Sequence, residues 1–416
     1  MKTPAQMQLR NIGPITEAEI RFGDMTIFTG PQASGKSIAL QTFKLLLDTG
    51  YIHDILNRYG MDWSNDRDAF LDIYFGEGMH SLWQRSSELH YEGEKKDIDD
   101  LATRKKRNKR EKLFYIPAQR VLALREGWPR YFTDFSSTDP FVVRDFSEKL
   151  RILIDQELIG GKTLFPQKRR LKEDLRQLLQ KTVYTGFQIV IDRIHGQKRL
   201  ILTTGMKSKA ALPFMVWSAG QREFTPLLLG LYWLMPPSKI SRRGDIRWVV
   251  IEEPEMGLHP HAIEVVMLLL LELLSRGYRV CLSTHCPQIL EFVWAIQHLQ
   301  KNDIDCYEDL FQLFGLTKKT KSLCDIFQQV IRKDYRIYYF DTPISDRKEK
   351  VKRKVCDISD LDASMQNDGD ATWGGLLALS ERANRIVARA SLSLHDRSIS
   401  SEVETGFQEN ATSFTP

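Results

Sequence analysis

An α/β fold, whose core has a mixed sheet and carries a β-rich insertion and a helical lobe, is what the sequence predicts, and three observations predict it. A glycine-rich loop at residues 30–37 stands between the apolar run Met25-Thr26-Ile27-Phe28-Thr29 and a stretch with apolar residues at helical spacing. Two further apolar runs, at 247–251 and 279–283, each follow a helical segment, the alternation expected of a parallel sheet. At 416 residues, 42% hydrophobic and 27% charged, the chain is long and apolar enough to bury a sizeable core, in one large domain with insertions or in two lobes.

Taken in order, residues 7–29 read as short strands broken at Asn11-Ile12-Gly13-Pro14. The helix after the loop runs from Ser37 to about Leu47 on Ile38, Leu40, Phe43 and Leu46. Residues 65–115 mix strand-like pieces, such as Leu71-Asp72-Ile73-Tyr74-Phe75, with the basic run 104–110, and read as an insertion on the core. Residues 140–183 are amphipathic at helical spacing, through Leu150, Leu153, Ile154 and Leu158, then Leu171, Leu175, Leu178 and Leu179. Residues 187–191, Gly196 and 199–202 suggest a hairpin that returns the chain to Trp217. The predicted divisions are a first core part at 1–64, a β-rich insertion at 65–135, a helical lobe at 136–185 and a second core part at 186–300. A C-terminal region at 301–390 has no assigned role, and a Ser-, Thr- and Glu-rich tail at 391–416 reads as poorly ordered.

A net charge of +5, from 59 basic and 54 acidic side chains, permits polyanionic partners without demanding them. The five cysteines are odd in number and lack CxxC spacing, so reduced thiols in a cytoplasmic protein are the simplest reading. The N-terminus lacks the apolar core of a signal peptide, and the most apolar stretches, 227–235 and 265–274, are too short to cross a bilayer, which excludes a membrane role.

Gly30-Pro31-Gln32-Ala33-Ser34-Gly35-Lys36-Ser37 fits GxxxxGK[ST] at every fixed position, between a predicted strand and a predicted helix. Gly30 and Gly35 let backbone N–H groups turn toward phosphates, and the helix N-terminus adds positive partial charge. Lys36 is placed to reach the β- and γ-phosphates and Ser37 to hold Mg2+, so the loop points to ATP with Mg2+. The strand Trp248-Val249-Val250-Ile251 ends in Glu252 and Glu253. Beside the loop, Glu252 would stand near Mg2+ through water, and Glu253 near the attacking water as general base or orienting group. His285, just past the strand 280–283, is a candidate donor to the γ-phosphate or the attacking water.

Between loop and acidic strand lies Trp217-Ser218-Ala219-Gly220-Gln221-Arg222-Glu223, followed by an apolar helical run. Here the sequence resembles the ABC ATPase superfamily, whose signature is Leu-Ser-Gly-Gly-Gln at a helix N-terminus. Ser218, Gly220 and Gln221 match it, while Trp217 and Ala219 depart from it. The resemblance implies that Ser218, Gly220 and Gln221 bind the γ-phosphate of ATP held by a second copy, in a homo-oligomer built on ATP-sandwich dimers. Taken alone, Ser218 also reads as an ordinary helix N-cap.

The phrase Glu252-Glu253-Pro254-Glu255-Met256-Gly257-Leu258-His259-Pro260 resembles the branch that holds RecF-like repair proteins, overcoming-lysogenization-defect proteins and ATPases of anti-phage systems such as Septu and PARIS. Tyr115-Ile116-Pro117-Ala118-Gln119-Arg120 also resembles that branch, and implies Gln119 as a contact to Mg2+ or the attacking water. The resemblance covers the scattered core of residues 1–300. It implies an ATP hydrolase, the sensor or regulator subunit of a defence complex with a separate effector, a nuclease or toxin. The alternatives it leaves are a RecF-like DNA clamp and an ATP-gated scaffold with little turnover. Asp360-Leu361-Asp362 and Asp368-Gly369-Asp370 follow no clear apolar strand, so a nuclease centre within this chain is not expected. Basic clusters at 104–112, 168–170, 318–321 and 350–354 are candidate contacts to nucleic-acid phosphates, with solvated faces as the plainer reading.

Overall fold

The computed structural model describes residues 5–103, 108–158, 163–194, 196–205, 211–237, 241–301, 307–340 and 354–360. The chain opens with a hairpin, β1 (Gln6–Ile12) and β2 (Ile15–Arg21), then enters β3 (Met25–Thr29), the glycine-rich loop and α1 (Lys36–Arg58). There follow α2 (Arg67–Phe75), β4 (Trp83–Tyr91), β5 (Glu94–Lys96), α3 (Ile98–Thr103) and β6 (Leu113–Ile116). A short hairpin, β7 (Leu124–Arg125) and β8 (Trp128–Pro129), leads to α4 (Phe141–Ile152), β9 (Thr163–Phe165) and α5 (Glu173–Thr182). Next come β10 (Gln188–Ile194), β11 (Gln197–Thr203), β12 (Ala211–Pro213), α6 (Ala219–Leu234), β13 (Trp248–Glu252), α7 (Pro260–Ser275) and β14 (Arg279–Ser283). The last elements are α8 (Pro287–Lys301), α9 (Tyr307–Leu313), α10 (Lys321–Val330), β15 (Tyr335–Phe340) and β16 (Val355–Asp357).

The central sheet has the strand order β16-β15-β3-β14-β13-β6. The five strands from β15 to β6 run parallel and β16 is antiparallel to β15, so the sheet is mixed, as the sequence predicts. Apolar residues occupy both faces. Phe28, Tyr115, Trp248, Val250, Cys281 and Tyr338 belong to a core shared with α1, α2 and the N-terminal strands. The alternate residues, such as Phe114, pack toward α4 and α6 through ring contacts to Phe146 and Trp233. Burial on both faces is why these strands read as continuous apolar runs. On the first face Phe43 of α1 stacks on Phe22 at 4.1 Å and meets Trp248 edge-on at 5.0 Å. Burying one such ring contributes roughly 1.5–3 kcal/mol.

Two smaller antiparallel sheets flank this centre, in the orders β2-β1-β4-β5 and β12-β11-β10-β9. The hairpin expected near Gly196 is present, with Gln188 opposite Thr203 and Ile194 opposite Gln197. Residues 71–75, read as a strand from sequence, lie instead in the helix α2. Asp66 caps that helix by accepting from the amides of Asp68 and Ala69, and its buried residues, Phe70, Leu71, Tyr74 and Phe75, fall on one helical face. The central sheet also continues past residue 300, because β15 pairs with β3 from Tyr335↔Met25 to Tyr339↔Thr29.

A buried ionic cluster fastens α1 to β6. Asp48 departs from helical geometry inside α1, at φ −121° and ψ 18°. Its carboxylate accepts from the amides of Lys112 and Leu113, at 2.8 and 3.1 Å, and from Lys44 Nζ at 3.2 Å. Lys44 in turn donates to the Leu113 carbonyl at 2.7 Å and to Glu111 at 3.2 Å. The helix that starts at the phosphate loop is thereby locked to the strand that leads to Ala118. Among the described residues no helix is long and apolar enough to cross a membrane. The tail at 391–416, Asp362, Asp368 and Asp370, and the basic residues 104–107 and 350–353, for which the sequence raised expectations, lie outside the described residues.

Candidate functional site

The glycine-rich loop leaves β3 at its C-terminal end. Gly30 and Gly35 have φ of 134° and 103°, and Ala33 has φ of 57°. At Gly30 glycine is required twice over, since a Cβ there would overlap the Phe340 carbonyl of β15. Gly35 is the N-cap of α1 and offers no side chain to the first-turn amides, which leaves them for an anion. Lys36 folds back over the loop, donating to the carbonyls of Gly30 and Pro31 at 2.9 and 2.7 Å. Burial pulls its pKa down to about 8, with Glu253, Glu252 and Glu255 opposing that shift.

Parallel pairing brings the acidic residues to this loop. Glu252 ends β13 opposite Ser283 of β14, which lies beside β3. Its side chain is buried, and the Ala118 amide donates to its Oε2 at 3.1 Å. Oε1 is buried with no partner in hydrogen-bonding geometry among the described residues. Burial raises the Glu252 pKa, and the nearby Ser37 hydroxyl, the Ala118 amide and the Tyr115 hydroxyl draw it back down. A buried carboxylate oxygen left unmatched beside a serine hydroxyl is the donor set a hard divalent cation takes, so these residues fit Mg2+.

Glu253 has φ of 43°, a left-handed conformation that costs a non-glycine residue about 1–3 kcal/mol. Two bonds to other segments hold it there. Its amide donates to Ser283 O at 2.9 Å, and its carbonyl accepts from Arg120 at 3.1 Å. The strained turn directs the chain away from the sheet just where β13 ends. His285 Nε2 lies 3.6 Å from Glu253 Oε1. Burial and the Lys36 charge both lower the His285 pKa, with Glu253 opposing, so the imidazole is neutral at pH 7. Glu255 fixes the next turn by accepting from the Thr284 hydroxyl at 2.6 Å and the His285 amide at 2.8 Å.

Lys36, Ser37, Glu253 and His285 meet in one cleft of about 470 Å3, lined by the loop from Gln32 to Ser37 with Glu253, Ser283 and His285. Its remaining wall is apolar, from Pro14, Ile38, Met79 and Leu82. Gln119 is exposed, one residue beyond Ala118, and is not among the lining residues. Ser218 caps α6 in a reciprocal box, with the Gln221 amide on its Oγ at 3.3 Å and its own amide on Gln221 Oε1 at 3.1 Å. The helix-cap reading of Ser218 therefore holds. Ser218 is also exposed and outside the loop's cleft.

Gly220 sits against the turn after Glu253, where a Cβ would come within 2.9 Å of the Gly257 carbonyl. Trp217, the departure from the signature pattern, is buried and donates its indole N–H to Leu212 O at 2.9 Å. It anchors the approach to α6. Immediately before it, Met215 and Val216 are 68% and 62% exposed.

The sequence matches the family described as AAA domain, putative AbiEii toxin, type IV TA system, over residues 77–291. The chain belongs to this AAA domain family. It is an AAA-family P-loop ATPase. No curated protein matches its sequence. Among solved structures, this AAA domain protein is similar to an SMC head bound to the C-winged helix domain of ScpA. That head is 10% identical, with 85% of this chain and 96% of the other covered and a TM-score of 0.39. It is also similar to a dimeric bacterial ABC transporter cassette, 13% identical, covering 69% of this chain and 90% of the other at a TM-score of 0.32. An SMC head domain from Thermotoga maritima is 11% identical, with 69% and 90% covered and a TM-score of 0.31.

Sequence reasoning missed Arg120, Tyr115 and Ala118 as neighbours of the acidic pair, and the apolar wall formed by Met79 and Leu82. Only the polar break after the apolar strand 113–116 hinted at the first three. Among the described residues of the basic clusters, one cation is buried and three form exposed ion pairs. Arg170 is buried on the Tyr232 carbonyl and Glu157, Lys109 and Arg110 pair with Asp54 and Asp245, and Lys319 pairs with Glu308.

Proposed function

We propose that this chain is an ABC-type ATPase that binds and hydrolyses ATP with Mg2+ between two copies of itself, as the sensor or regulator subunit of an anti-phage defence complex with a separate effector. The observation that carries the ATPase reading is the meeting of Lys36, Glu253 and His285, from three distant segments, in the cleft beside the phosphate loop. Lys36 and the first-turn amides of α1 would receive the β- and γ-phosphates. Ser37 and Glu252 would hold Mg2+, which when bound neutralises phosphate charge. Glu253, with a neutral His285 beside it, would orient or deprotonate the attacking water.

Exposure of Ser218, with Met215 and Val216 bare beside it, supports a second copy closing over the α6 N-terminus. The defence role is supported by the Glu252–Pro260 phrase and by the match to a family described as a putative AbiEii toxin of a type IV TA system. Phosphate release and sedimentation test the proposal together. Glu253→Gln should lower release at least 100-fold, about 2.7 kcal/mol of barrier, while ATP-dependent dimers accumulate. Lys36→Ala should abolish ATP binding. A Glu253→Gln protein that turns over like the wild type would overturn the reading.

A further inference from the structure

Arg120 is completely buried, yet among the described residues it forms no ion pair. Its guanidinium uses three of its five donors on three backbone carbonyls. Nε donates to Glu223 O at 3.0 Å, Nη1 to Glu252 O at 3.0 Å and Nη2 to Glu253 O at 3.1 Å. Glu223 lies in the second turn of α6, the helix that Ser218 caps, while Glu252 and Glu253 close β13. One planar fork thus ties the signature helix to the acidic strand end, at the residue held in the left-handed conformation.

Desolvating a guanidinium is costly, and four carboxylates, Glu223, Glu255, Glu253 and Glu252, supply the compensating field without a direct pair. A site that needed only packing would use an apolar side chain of this size. The same short segment also holds the Glu252 carboxylate, through the Ala118 amide. Gly220 leaves room for the Gly257 carbonyl, a second contact between α6 and the acidic turn.

We propose that Arg120 is a positioning residue that sets the backbone of Glu252 and Glu253 from the first turns of α6, so that contact made at Ser218 is transmitted to the acidic pair of the same chain. This rests on the ATPase reading above, in which Glu253 faces the attacking water. Arg120 is not among the residues that line the cleft. Its effect should appear in the rate of the chemical step and in the order of the acidic turn, not in nucleotide affinity.

The test uses the full chain carrying Arg120→Ala or Arg120→Lys, with two readouts. Under Mg2+ and ATP, Arg120→Ala should lower kcat at least 100-fold with the Kd of a non-hydrolysable ATP analogue within threefold of wild type. Arg120→Lys, which keeps the charge but cannot span three carbonyls, should recover part of that loss. Should Arg120→Ala not fold, Arg120→Lys is judged by the same two constants, with kcat below a tenth of wild type expected. Without nucleotide, amide hydrogen exchange should quicken at 253–258 and 219–223 in both variants and stay unchanged in α1 and β3. A kcat within threefold of wild type, an equal fall in affinity and rate, or unchanged exchange in those two segments overturns the proposal. Wild-type protein that does not turn over ATP would sink the ATPase reading instead, and the exchange measurement would still decide the role of Arg120.

Discussion

Raising the pH should weaken ATP binding in a way that reports on one side chain. Burial sets the Lys36 pKa at about 8, and a triphosphate binds its ammonium form. The sign follows directly. Deprotonation removes the attraction, so Kd is level below the pKa and climbs above it. About half of the molecules carry the charge at pH 8 and about one in eleven at pH 9, so Kd should rise roughly fivefold over that unit. The next unit should add up to about tenfold, until the nucleotide-bound lysine itself begins to titrate. No other residue lining the cleft is a lysine, cysteine or tyrosine, and the lowered His285 pKa keeps that ring neutral throughout the window. Titration calorimetry with a non-hydrolysable ATP analogue and Mg2+, from pH 7.5 to 9.5 at fixed ionic strength, measures the slope. Lys36→Arg, whose guanidinium stays charged, should bind with a flat profile. A wild-type Kd that changes less than twofold across the range, or an equal rise in Lys36→Arg, would refute the assignment of Lys36 as the phosphate-binding cation.

Three further outcomes can be measured on the same protein. Asp48→Ala orphans one buried and one part-buried amide and removes one carboxylate from Lys44, so urea unfolding should show a loss of about 3–5 kcal/mol, and a loss under about 1 kcal/mol would deny the cluster its role in joining α1 to β6. Gly30→Ala cannot keep both its φ of 134° and the Phe340 carbonyl in place, so ATP binding should fall at least tenfold in calorimetry while the rest of the sheet still folds by circular dichroism. Met215→Glu with Val216→Glu should shift the ATP-dependent monomer–dimer equilibrium at least tenfold toward monomer in sedimentation, because a charge would then sit beside the exposed Ser218.

The phosphate loop, the strands around it and the acidic end of β13 are legible in the sequence by itself, because each is a contiguous pattern. Two glycines at φ positions closed to other residues, a lysine and a serine at a helix start, and an apolar run ending in carboxylates carry their chemistry within a few residues. Residues 71–75 were open to misreading for the same local reason. Five largely apolar residues fit a strand as well as a helix, and the Asp66 cap with a buried face decides for the helix. Other facts belong to the tertiary structure. That Tyr335–Phe340 lies beside Met25–Thr29, that Arg120 reaches three carbonyls more than one hundred positions downstream, and that Trp217 seats α6 by its indole are decided by parallel pairing and burial. A sequence pattern reports the backbone it shapes nearby, whereas a hydrogen bond to a distant carbonyl leaves no mark on the residues between, so only the folded chain could show what holds Glu253 in its strained turn.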